Sequence, residues 1–145
     1  MDPLIFSQAF DLALSAEVVA GVLMPVKLVL IKTNLALDRN TALADVVAAK
    51  ADYTGAIEGV ITWLAPSIAD DGSIEVVGTV PEYRPTDAVT PNQIYGCALL
   101  TALDAALYAV CSFADGPLPM ESALNSILAT LRYKPEGGSM VVTIS

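Results

Sequence analysis

Histidine is absent from this chain, which removes the side chain that proteins use most often as a general base and a metal ligand. A Ser-His-Asp or Cys-His triad therefore cannot be built. The glycines form neither a G-x-G-x-x-G motif nor a phosphate-binding loop. The two cysteines, Cys97 and Cys111, also lack the C-x-x-C spacing of zinc and redox motifs. We therefore expect a protein that is not an enzyme and that uses no cofactor or metal.

Charged residues are scarce, and basic ones especially so. The chain has 7 Lys and Arg against 16 Asp and Glu, which gives a net charge of −9. The basic residues are scattered, whereas phosphate binding needs them clustered, so we expect no nucleic-acid partner. Only 16% of the 145 residues are charged and 54% are hydrophobic, while an ordinary soluble domain is roughly a quarter charged. One domain of this size cannot hide so much apolar surface, which indicates a partner subunit or a membrane.

The first two dozen residues are mostly apolar and carry no Lys or Arg. Asp11 and Glu17 would be costly at bilayer depth, so we favour a helix over residues 4–24, packed on the domain or a neighbour, over a membrane span. We expect residues 1–24 to form an N-terminal helical segment and residues 25–145 a β-sandwich domain. The candidate oligomer or partner interface consists of five apolar residues of this helix: Phe6, Phe10, Leu14, Val18 and Val22.

Short apolar runs bounded by Gly, Pro, Asn and Asp follow one another along the rest of the chain. This spacing is typical of antiparallel β proteins. In the run 26–31 both alternating sets are largely apolar, which indicates a strand covered on both faces. We therefore predict a mainly β fold, an antiparallel β-sandwich of jelly-roll-like or Ig-like type, with an N-terminal α-helix.

Local signals predict how several of these runs pair. Asp71-Gly72 favours a hairpin turn, so residues 55–65 and 74–80 are expected to pair antiparallel. The "PEGG" turn at 135–138 is flanked by two further strand-like runs. Two interpretations are equally open for the stretch between the first strand and 55–65. One is a short helix over 42–50, capped by Thr41 or Asn40 and with Asp45 in an early turn; the other is a surface loop.

The two cysteines lie in neighbouring apolar runs, 93–101 and 105–113. If these runs form a hairpin centred on Asp104, Cys97 and Cys111 lie directly opposite each other on one face. A disulfide between them and two buried free thiols are then the alternatives, and we favour the free thiols, which behave as small hydrophobes. On this hypothesis the cysteines belong to the core of a sheet.

Paired carboxylates are the remaining route to acid–base chemistry. The candidates lie at the predicted hairpin and in the proline-rich connection 81–93: Asp70, Asp71, Glu75, Glu82 and Asp87. Nothing in the sequence brings two of them together in an apolar pocket, so we interpret them as solvated surface charge.

The order of the segments resembles that of small structural proteins of tailed bacteriophages. The resemblance spans about residues 15–134 and begins with "SAEVVAGVLM" and "VKLVLIKTNLALDRNT". A proline- and threonine-containing turn and the strand "NQIYG" follow, and "ALYAVCSFADGPLPMESALNSILATLRYK" resembles the closing portion of the family. The chain departs from the pattern in its Ala-rich stretch 42–51, its longer apolar N-terminus and the final "MVVTIS".

This resemblance implies a virion structural protein, either a capsid decoration (cement) protein that stabilises the capsid surface or a head-fibre or tail component. Its expected partners are other copies of itself, with a homotrimer favoured by analogy, and the major capsid protein or other virion proteins. The alternative is a binding module whose loops recognise a receptor or carbohydrate, and Tyr83 and Arg84 are then the candidate loop contacts. The expected location is the virion, with no membrane involved.

Overall fold

The computed structural model describes residues 2–3, 5–6, 26–38, 40–65, 67–68, 70–72, 74–101, 103–114, 116–134 and 139–144. These residues form one helix and thirteen strands: β1 Asp2–Pro3, β2 Ile5–Phe6, β3 Val26–Ile31, α1 Leu43–Ala48, β4 Gly59–Val60, β5 Thr62–Trp63, β6 Ser67–Ile68, β7 Ile74–Thr79, β8 Asn92–Ile94, β9 Gly96–Thr101, β10 Leu107–Ser112, β11 Leu118–Met120, β12 Ala129–Lys134 and β13 Ser139–Ile144.

The strands form two main antiparallel sheets. Sheet I has the order β1-β13-β12-β7-β5, with β6 also paired to β7, and sheet II has the order β2-β10-β9-β3-β4. A separate two-stranded ribbon pairs β11 with β8. The prediction of a mainly β, antiparallel, sandwich-like fold is therefore confirmed.

The chain passes from one sheet to the other at both sides of the sandwich. At one side β4 lies in sheet II and β5 in sheet I, with only Ile61 between them; at the other side β1 lies in sheet I and β2 in sheet II. Only part of the predicted pairing of 55–65 with 74–80 is correct, because β5 pairs with β7 while β4 pairs with β3. The strands at the ends of the two sheet orders, β1, β5, β2 and β4, are each two residues long, and short edge strands limit edge-to-edge aggregation.

The main core fills the space between the sheets. It contains side chains from β3, β9 and β10 of sheet II, from β12 of sheet I, and from the ribbon, including Leu28, Leu99, Leu131 and Met120. A second cluster covers the outer face of sheet II, where α1 contributes Val46. Because both faces of sheet II are covered, all six residues of β3 are buried, as predicted for a strand apolar on both sides.

The turn signals in the sequence place two hairpins correctly. β6 pairs with β7 around Asp71-Gly72, where Gly72 has a φ of 84°. β12 pairs with β13 across residues 135–138, with Lys134 opposite Ser139. At the first of these, Gly72, a residue that tolerates a tight backbone turn, lies where the chain reverses.

The helices differ from the prediction in two respects. Helix α1 has Asp45 in its first turn as expected, but its N-cap is Ala42, which makes no side-chain capping bond. The Thr41 hydroxyl instead accepts the Asp38 N–H. The helix predicted over 4–24 is wrong where the structure describes that segment, because Ile5 and Phe6 are extended and pair with β10, whose backbone they satisfy. The rest of that segment lies outside the described residues.

Among the described residues, no helix has the length and apolarity needed to cross a bilayer.

Candidate functional site

Four charged side chains form a closed ring on the outer face of sheet II, which we call the ion-pair ring: Lys27, Glu58, Lys50 and Asp104. The Lys27 ammonium lies 2.8 Å from Glu58 Oε2 and 2.7 Å from Asp104 Oδ1. The Lys50 ammonium lies 2.6 Å from Asp104 Oδ2 and also contacts Glu58 Oε1. Each lysine therefore bridges both carboxylates, and positive and negative charges alternate around the ring.

Four distant segments supply the ring. Lys27 projects from β3 on the same side as the outward residues Val29 and Ile31, and Lys50 follows the end of α1. Glu58 immediately precedes β4, and Asp104 lies in the β9–β10 turn with a φ of 56°, a conformation that Asp tolerates better than most residues. The ring thus ties the turn, the helix end and the sheet-changing segment to the middle of sheet II.

Lys27 is the most deeply buried member, with 7% of its side chain exposed. Burial alone would lower the pKa of Lys27, but the contacts with Asp104 and Glu58 outweigh it and hold that pKa above its usual value. Burial also acts to lower the pKa of Lys50, and the contacts with Asp104 and Glu58 again outweigh it, so this pKa is raised too. Burial likewise works against ionisation of Glu58, yet the two lysines keep its pKa lowered, and they lower the pKa of Asp104.

We expect the ring to stabilise the fold near neutral pH and to lose that contribution in acid. Because folding lowers the pKa of Glu58 and Asp104, their stabilisation is present above the unfolded values of about 4 and disappears as the pH falls through and below them. In urea unfolding at pH 7, Asp104→Asn should cost about 1 kcal/mol, since the ring is partly solvated. That difference from wild type should shrink steadily below about pH 4.

Asparagine suits this test because it also tolerates a positive φ. The matched control is Asp45→Asn, the same change at an exposed site in the first turn of α1. A difference for Asp104→Asn that stays constant from neutral to acidic pH would show that the ring charges do not provide the stabilisation.

Two exposed apolar side chains border the ion-pair ring. Val60 is the cross-strand neighbour of Lys27 and is 56% exposed; Leu103 precedes Asp104 at the tip of the turn and is 90% exposed. Glu58 and Val60 are two residues apart on an extended segment, so they share the outward side. We call the ring, together with Val60 and with Leu103, the chain neighbour of Asp104, the ring face.

The two candidate loop contacts lie in different environments. Tyr83 is fully buried, because its hydroxyl reaches across the core to donate to the Leu28 carbonyl at 2.5 Å. It therefore cannot act as a surface contact, and that prediction is wrong. Arg84 is on the surface, where it pairs with Glu82 at 2.6 Å and donates to the Ala123 carbonyl.

The cysteines occupy the predicted register. Cys97 and Cys111 are direct cross-strand partners in the β9–β10 hairpin, and Ala98–Val110 and Leu99–Ala109 follow in the same register. The two are not joined in a disulfide, and both side chains are buried in the main core. This confirms the favoured alternative, two buried thiols that act as small apolar side chains.

The predicted N-terminal interface falls largely outside the described part of the chain. Phe10, Leu14, Val18 and Val22 lie there, so their assignment stays a prediction. Phe6 is the exception, since its backbone forms the end of β2 opposite Ala109.

Four of the five candidate carboxylates are exposed, as expected for surface charge: Asp70, Asp71, Glu82 and Asp87. Glu75 differs, because it is buried and its carboxylate lies 2.8 Å from the Arg132 guanidinium. Within the described ranges, no three Cys, Asp or Glu side chains lie close enough together to hold a metal ion.

Sequence reasoning missed the ion-pair ring. Its members are 8 to 77 positions apart along the chain, with Lys27 and Asp104 the most distant, and their meeting depends on the sheet order. The one available signal was Lys27 itself, a single lysine inside an apolar six-residue strand. A charge buried in such a strand requires a partner, although the sequence does not say which carboxylate supplies it.

Comparisons with protein-family models, curated proteins and solved structures found no match to this chain.

Proposed function

We propose that this chain is a structural component of a tailed-bacteriophage particle, most simply a capsid decoration protein that assembles with copies of itself and with the capsid. Large apolar side chains left exposed on a well-packed sandwich are the observation that carries the proposal. Leu103, Leu124, Val89 and Ile68 are each more than three-quarters exposed. A coat component needs such residues, because its exposed apolar surface is buried by neighbours in the assembled shell.

The construction of the fold supports the same role. Strands β4 and β5 lie at the edges of the two sheets on one side of the sandwich and β2 and β1 on the other, and the ion-pair ring fixes a turn and a helix end to sheet II. Such a rigid body presents its surface to neighbours without rearranging, so little conformational entropy is lost on assembly.

A second candidate is a tail or head-fibre module that binds a receptor or carbohydrate through its loops. One observation favours it: the connection between Tyr83 and β8 is exposed from Thr86 to Pro91 and contains Val89, which is 79% exposed. Arg84 is the remaining predicted contact at this loop, since Tyr83 is buried.

Quantitative mass spectrometry of the corresponding virus particles, purified on a density gradient, tests the proposal. A decoration protein should be present in hundreds of copies per particle, because it follows the symmetry of the capsid. A few to a few dozen copies would favour the tail or fibre module instead. Absence of the chain from purified particles would overturn both.

A further inference from the structure

The ring face combines two properties: exposed apolar side chains and locally balanced charge. Val60 and Leu103 supply the apolar part, at 56% and 90% exposure. The ring contributes two ammonium groups and two carboxylates, which sum to zero. The whole chain, by contrast, has a net charge of −9.

The charge balance bears on which partner can approach. Other strongly exposed apolar residues have acidic neighbours along the chain: Asp70 and Asp71 follow Ile68, and Glu121 precedes Leu124. Two copies of this acidic chain repel each other wherever such surfaces meet. At the ring face the two ammonium groups and two carboxylates cancel, so that repulsion is reduced, while apolar area remains available for burial.

The arrangement of the charges adds a second argument. Positive and negative groups alternate around the ring, in the order Lys27, Glu58, Lys50 and Asp104. If a copy is turned by a two-fold axis that lies in the contact plane and passes between neighbouring members of the ring, its carboxylates fall opposite the ammonium groups of the first copy. A surface that complements itself in this way is what an isologous contact requires.

We propose that the ring face binds the ring face of a second copy of this chain across a two-fold axis, with Leu103 and Val60 of each copy buried against the other. This inference rests on the self-association in the proposed function and names the surface that provides it. It requires a dimer, whereas the resemblance to cement proteins implies a trimer, so the mass of the oligomer distinguishes the two hypotheses.

The test is sedimentation-velocity ultracentrifugation of the full chain over a dilution series, for wild type and for Leu103→Asp. Wild type should show a monomer–dimer equilibrium. Leu103→Asp places a charge within the contact and should raise the dissociation constant about tenfold or more. The matched control, Leu124→Asp, makes the same change at a side chain of similar exposure, 93%, and should leave the equilibrium unchanged.

A second variant guards against a misleading result from one substitution. Val60→Asp changes the opposite border of the ring at another exposed position and should weaken the dimer as Leu103→Asp does. A wild-type chain that stays monomeric, a trimer, or a dimer unaffected by both face variants would overturn this inference. A trimer unaffected by them would leave the proposed function standing, whereas a ring-face dimer that is absent from virus particles would remove the function and keep the interface.

Discussion

Replacing Gly96 by alanine is expected to destabilise the protein strongly, although the change adds only one methyl group. A Cβ at this position would lie 2.3 Å from the Cys111 carbonyl oxygen and 2.9 Å from Leu37 Cδ1. Leu37 can turn aside, but the carbonyl belongs to the backbone of β10 and cannot move without parting β9 from β10. We expect a loss of about 3 kcal/mol or more, seen as a fall in melting temperature of about 6–12 °C.

Gly116→Ala is the matched control. Gly116 has a φ of 78° but no neighbouring atom within 4 Å of the added methyl, so its replacement should cost only the backbone penalty of about 1–2 kcal/mol. Chemical unfolding of both variants gives the two free energies. Equal losses at the two positions would show that close approach of β10 is not what excludes a side chain at Gly96.

Gly96 is also the last residue of the "NQIYG" motif, and the structure shows what the residues of this motif do. In "NQIYG", Asn92 accepts the backbone N–H groups of Asp52 and Tyr53 and so attaches the segment after α1 to β8. Ile94 is fully buried, and Gly96 allows β10 to approach β9. The burial of Ile94 was predictable from alternation, while the roles of Asn92 and Gly96 depend on partners 15 to 59 positions away in the chain.

Local pattern succeeded where one turn determines the pairing. The register of the β9–β10 hairpin followed from its centre at Asp104, and the cysteines lie opposite each other as predicted. Beyond Ala109 a bulge shifts the register, so Leu107 faces Leu100 and packs on the outer cluster instead of beside the cysteines. A bulge moves a side chain to the other face of the sheet, and no residue type in this turn predicts that a bulge will form.

Local pattern failed where the chain changes sheets. Residues 59–63 were predicted as part of one strand, yet Gly59 pairs with Leu28 in sheet II and Trp63 with Gly78 in sheet I. The change of sheet depends on which strands lie beside this segment, β3 for Gly59 and β7 for Trp63, and that arrangement is set by the whole topology and not by the local sequence. The pairing of β5 with β7 also depends on Gly78, because the Trp63 ring lies over it in the space that a side chain would occupy.

Gly59 does not complete its backbone pairing with Leu28 directly. The Gly59 N–H donates to the Tyr83 hydroxyl at 3.1 Å, and that hydroxyl donates to the Leu28 carbonyl at 2.5 Å. The phenol therefore lies between two backbone groups of residues that face each other across β3 and β4. Burial is the main reason that the pKa of Tyr83 is raised, which keeps the hydroxyl protonated and able to donate.

Tyr83→Phe should accordingly destabilise the protein by about 2–4 kcal/mol, because it leaves a buried N–H and a buried carbonyl without their shared partner while the aromatic ring is kept. Tyr53→Phe is the matched control. Its hydroxyl is also buried, but it has no hydrogen-bond partner within the part of the chain that the structure describes, so its removal should be neutral or stabilising. Urea unfolding of both variants at pH 7 measures the difference. Equal effects would mean that β3 and β4 close up and pair directly when the phenol is lost, and that the bridge contributes nothing to stability.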